Sequence, residues 1–141
     1  MSGRGTPLSS AAVRRIVLAV LRGERQDALI SVTFLGREAM RRLNAEHRDQ
    51  DRPTDVLAFT LPHPSPPRAG TRDPRRVGDL YVCPWVAARQ ARAHGVSLRE
   101  ELVRLVVHGT LHALGRDHPE GPGRTRSAMW RRQERYVEAL A

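Results

Sequence analysis

The stretch SLREELVRLVVHGTLHALGRDH, residues 97–118, decides the fold. Ser97 and Glu100 form the S-x-x-E pattern of a helix N-terminus, in which the serine oxygen accepts a backbone N–H and the glutamate answers it. Leu102, Leu105, Val106, Val107, Leu111 and Leu114 then put apolar side chains nearly all round the axis, so this helix belongs at the centre of the molecule. Gly115 ends it, because a residue without Cβ takes the left-handed conformation that turns the chain back.

The same stretch carries His108, His112 and His118. The first two are four apart on a helix, about 40° apart around the axis and about 6 Å along it, so both imidazoles reach one ion. On a continuous helix His118 would lie roughly 9 Å beyond His112 and could not share a metal held at about 2.1 Å per nitrogen. The turn at Gly115 removes that obstacle. Three neutral imidazoles leave a fourth tetrahedral position for water, which zinc acidifies to a pKa of about 7. Zinc is the expected ion, one per chain; nickel and cobalt accept the same donors. Asp117, beside the third histidine, either holds a neighbouring imidazole in place or accepts a proton.

Outward from this helix, Ser9 or Ser10 caps an amphipathic helix with Val13, Ile16, Val17, Val20 and Leu21 on one side and Gly23 just beyond its end. Residues 28–34 alternate Ile30, Val32 and Phe34 with Ser31 and Thr33, the pattern of a half-buried strand. A helix is predicted over 37–46, a strand over 56–60, another over 77–82, and a helix from Pro84 to His94 stopping at Gly95. A last helix from about Ser127 sets Met129, Gln133, Tyr136, Val137 and Leu140 down one side. Five prolines between Pro62 and Arg76 mark an exposed loop over 62–76. The fold class expected is α+β: one domain over 1–141, a small mixed sheet of about four strands covered by about five helices, with the metal site on the central helix of the C-terminal half. Pattern alone does not order the strands.

The chain has 141 residues and a net charge of +9, from 24 arginines, no lysine and 15 acids. That sign favours polyanions such as RNA, while the choice of arginine over lysine also follows from a GC-rich coding sequence. Cys83 is the only cysteine, which excludes an intramolecular disulfide and a cysteine-based zinc knuckle. No run approaches the roughly 18 apolar residues of a membrane span, and MSGRGTPLSS lacks a signal peptide's apolar core, so a cytoplasmic protein without membrane or disulfide-linked partners is expected.

The histidine spacing resembles that of the metzincin metalloproteases, H-E-x-x-H-x-x-G-x-x-H, except that Gly109 stands where their glutamate acts as general base. More of the chain resembles the YbeY family of bacterial rRNA maturation factors, described as metal-dependent single-strand endoribonucleases. The resemblance runs through RLNAEHRDQDRPTDVLAF (42–59), VGDLYV (77–82), VVHGTLHALGRDH (106–118), and Met129 with Gln133 and Glu134. It implies that His108, His112 and His118 bind zinc and that Arg48, at the family's motif arginine, faces the metal cleft. A guanidinium there can clamp a phosphate and stabilise developing charge. The resemblance further implies rRNA, the small ribosomal subunit as partner, 16S rRNA 3′-end maturation and ribosome biogenesis.

Two positions depart from the family. Ala113 replaces a usual Leu, a matter of packing. Arg116 replaces a usual Tyr, and either contacts phosphate or points into water. His47, His63 and His94 are expected to be solvated, Cys83 to be core, and Asp79 to serve turn chemistry or support the cleft. Three functions therefore compete: an endoribonuclease, a metallopeptidase-like hydrolase, and a non-cleaving rRNA-binding assembly factor with a structural metal.

Overall fold

A computed structural model describes residues 8–62, 76–116 and 128–141. Its elements run α1 (Ser10–Glu24), β1 (Leu29–Phe34), α2 (Arg37–Arg48), β2 (Val56–Pro62), β3 (Arg76–Val82), α3 (Pro84–His94), α4 (Leu98–Ala113) and α5 (Ala128–Leu140). This is the expected α+β architecture, with three strands among the described residues instead of about four.

The strand order is β1-β3-β2. The central strand β3 pairs parallel with β1, Ser31 opposite Asp79, and antiparallel with β2, Ala58 opposite Leu80. Alternation along β3 sends Gly78, Leu80 and Val82 to one face. That face carries α4, which also touches α1, α3 and α5. The other face carries Leu57, Phe59 and Tyr81 against Met40 and Leu43 of α2.

Leu102, Val103, Val106, Val107 and Leu111 of α4 are all buried. Each such side chain contributes about 1.5–3 kcal/mol, several times the few tenths of a surface pair along a helix, so packing decides where α4 sits. Ser97 caps it as expected, accepting Glu100 N–H at 3.0 Å. The return half of the capping box is absent, because the Glu100 carboxylate bonds Arg104 instead.

Two helix ends differ from expectation, and β2 runs two residues further, to Pro62. Helix α1 continues through Gly23 to Glu24 and ends at Arg25, which takes the left-handed conformation at φ 54°. Gly23 answers a close approach and not a turn: a Cβ there would lie 2.1 Å from the Tyr136 hydroxyl. Helix α2 likewise runs on to Arg48 and ends at Asp49, φ 56°. Of the loop expected over 62–76, positions 63–75 lie outside the described residues, while Pro62 and Arg76 are strand ends paired with each other.

Candidate metal centre

Glu100, Arg104, His108 and His112 recur every fourth residue and so form one row down α4. Sequence position fixes their order, and exposure grades it: His108 is half-buried and His112 is exposed. Their rings lie 6.4 Å apart between centroids and within 20° of parallel, a separation that one ion with bonds of about 2.1 Å can bridge after small ring rotations. Gly115 has φ +85°, and the Arg116 N–H reaches back to the Leu111 carbonyl at 2.9 Å. The helix therefore ends with the turn that the third histidine requires.

His118 and Asp117 lie outside the described residues. Among the described residues no three histidine, cysteine or carboxylate side chains gather at one point. The two described imidazoles do fit a metal. His108 Nδ1 is 2.8 Å from Gln133 Oε1 of α5, so Nε2 is the ring nitrogen that would ligate an ion.

Gln133 is almost fully buried and bonds the Glu134 carboxylate at 3.1 Å. Glu134 receives two bonds from Arg104, each 2.9 Å, and Arg104 also bonds Glu100 and Glu101. Burial alone would raise the Glu134 carboxyl, but the hydrogen bonds from Arg104 and Gln133 outweigh it and hold the group below its ordinary value. The nearby Glu101 goes the other way, burial prevailing over its bond to Arg104.

Gln133 was visible in the sequence as one polar residue in the apolar row of the last helix. A buried amide needs partners. Only the packing of α5 against α4 reveals that the partner is a candidate ligand.

Arg48 is the exposed last residue of α2, and its guanidinium makes no hydrogen bond or ion pair among the described residues. Its neighbour His47, though exposed, sets its ring edge-on to Phe59 at 5.1 Å. Arg116 does not simply point into water. Its Nε bonds Glu24 at 3.2 Å, and that carboxylate, 4% exposed, also takes Arg132 at 3.1 Å and the Tyr136 hydroxyl at 2.7 Å. A phosphate contact by Arg116 would compete with Glu24.

Asp79 lies within β3, not in a turn, and accepts the Ser31 hydroxyl at 2.6 Å across the parallel pair. Cys83 is fully buried, as expected of a core residue. His94 closes α3, and His63 lies outside the described residues.

Comparison with known proteins gives a consistent picture. The model of the family described as "Endoribonuclease YbeY" matches residues 6–141. A protein of that name from Kineococcus radiotolerans is 46% identical over 94 residues, 66% of this chain and 54% of that protein. One from Staphylococcus saprophyticus is 37% identical over 114 residues, 81% of this chain and 73% of that protein. Among solved structures, the solution structure of TM1509 from Thermotoga maritima superposes with a TM-score of 0.63 at 28% identity, covering 96% of this chain and 85% of that one. The chain thus spans about half to three quarters of the length of these two curated relatives.

Proposed function

The chain belongs to the YbeY endoribonuclease family, and from that premise we propose that it is a zinc-dependent, single-strand-specific endoribonuclease acting in 16S rRNA 3′-end maturation and ribosome biogenesis. The observation that carries the reading is the pair His108 and His112 on successive turns of the buried helix α4, which ends at the Gly115 turn. His118 is the third ligand in this proposal. Zinc, held by these three imidazoles, would supply Lewis acidity.

The chain's own groups do the rest. Arg48 grips the phosphate of the scissile bond, its guanidinium offering paired donors to the phosphate oxygens as charge builds there. Asp117 holds a ligand imidazole in place. Arginine in excess over acids steers the RNA by long-range attraction. In this reading the protein works in the cytoplasm with the small ribosomal subunit as its partner. No helix of the described residues is long and apolar enough to cross a membrane.

The peptidase alternative is disfavoured by Gly109, which is buried against Leu80 and has no carboxylate to offer. The deciding experiment combines metal analysis with cleavage assays on single-stranded RNA and on casein, with and without chelator. Chelator-sensitive RNA cleavage with intact casein is expected. Cleavage of neither substrate would leave a non-cleaving assembly factor.

A further inference from the structure

Three buried or half-buried groups in a line connect an ion pair to one ring nitrogen of a candidate ligand. Arg104 binds both oxygens of Glu134, Glu134 accepts the Gln133 amide N–H, and Gln133 Oε1 faces His108 Nδ1. The direction of every bond follows from chemistry. A guanidinium only donates, so the Glu134 carboxylate is bound as the ionised acceptor. A carboxylate only accepts, so the Gln133 edge facing it is the NH2 group and the edge facing His108 is the oxygen. An amide oxygen accepts, so His108 Nδ1 carries the hydrogen.

We propose that Gln133 is a positioning residue, fixing His108 as the Nδ1–H tautomer with Nε2 presented to the metal, and that the Arg104–Glu134 ion pair sets the orientation of Gln133. The inference rests on the metal centre proposed above. Its physical basis is that an imidazole's coordinating nitrogen is chosen by the hydrogen bond its other nitrogen makes. Gln133 is 1% exposed, so no water competes freely for that bond. Arg104 and His108 lie one turn apart on α4, and Gln133 and Glu134 are neighbours on α5. Sliding or rotating one helix against the other therefore disturbs the ion pair and the ligand together.

The test has two readouts besides activity. Nitrogen-15 NMR of the imidazoles in the zinc-free protein reports the His108 tautomer, and competition with a chromophoric chelator reports zinc affinity. Wild type is expected to show hydrogen on Nδ1. Gln133→Met, close in shape but without the acceptor, is expected to lose that preference and to bind zinc about 10- to 100-fold more weakly. Gln133→Glu, which restores an acceptor, is expected to recover most of the affinity.

A wild-type His108 with its hydrogen on Nε2 overturns the proposal without recourse to any variant. Unchanged zinc affinity in Gln133→Met overturns it too, as does equal loss in Gln133→Glu, which would mark the site as packing alone. A wild type that binds no zinc, with His108 still Nδ1–H, overturns the metal centre and this role with it. The two failures are thus told apart.

Discussion

A Cβ added to Gly109 would lie 3.1 Å from both terminal carbons of Leu80 and 3.4 Å from a methyl of Val56. Helix α4 is pressed onto the sheet at the position where a metzincin carries its general base. Leu80 is fully buried and cannot yield without shifting its own neighbours. Gly109→Ala should destabilise by up to about 2 kcal/mol, the overpacking cost of about 1–3 kcal/mol exceeding the roughly 1 kcal/mol that alanine gains over glycine in a helix. Gly109→Glu should lose about 3–5 kcal/mol by burying an unpaired charge. Urea unfolding measures both. A stable Gly109→Glu variant that digests casein would show that the missing carboxylate, and not the packing, separates this fold from a peptidase.

The metal prediction concerns the exposed end of the histidine row. His112→Ala should leave α4 folded, since His112 is exposed near the helix end and outside the apolar core, yet remove zinc and RNA cleavage together. Elemental analysis of the purified variant decides it, and full occupancy would sink the site as drawn.

For Arg48 the expectation is a separation of effects. Arg48→Ala should keep one zinc per chain and its stability, while RNA turnover falls about 100-fold, the cost of removing one group that stabilises developing charge. Turnover equal to wild type would remove the phosphate role. RNA affinity of the wild type should also fall steeply as salt is raised.

Tyr136 gives a pH signature. Its hydroxyl is pushed up to about 12 from an ordinary 10.0, first by burial and then by the Glu24 carboxylate it bonds. The folded state thus keeps a proton that the unfolded chain gives up. The contribution is whole below about pH 10 and is lost as pH climbs towards the folded value of about 12. Tyr136→Phe should flatten that alkaline fall in stability, at a cost near neutrality of about 1.5–3 kcal/mol for a hydrogen bond to a charged group. Chemical denaturation across pH 8–12 tests it; an unaltered alkaline slope would refute the assignment.

What could be read in the chain beforehand was local. Each helix came from its periodicity and its caps, and Ser9 and Ser97 cap their helices as the pattern predicts. The row of His108 and His112, with the glycine that turns the chain after them, depends only on helix geometry and so was legible as a candidate site. Contacts between elements were not. Gly23 resembled a helix stop because the ring of Tyr136, 113 positions later, is invisible to any local pattern. The local pattern offers Arg116 only phosphate or water, because nothing near it in sequence announces Glu24. Gln133 read as one more residue of an apolar row, and its partner became apparent only when α5 was laid against α4. The placement of β3 between β1 and β2 belongs to the same class.

That placement governs how the molecule assembles. β2 and β3 meet first at Pro62 and Arg76, 14 positions apart, whereas every pair of β1 with β3 joins residues 48 apart. The difference in loop entropy is about 1 kcal/mol in favour of the hairpin, and non-local pairing is the slower event in folding. Within the sheet, β1 is therefore the strand expected to pair later. It docks where a Cβ on Gly78 would stand 3.0 Å from Ile30 Cδ1 and 2.9 Å from the methyl of Ala113, at the end of α4. The longest-range pairing within the sheet and the seating of the histidine helix meet at one glycine, so a bulkier residue there should slow refolding.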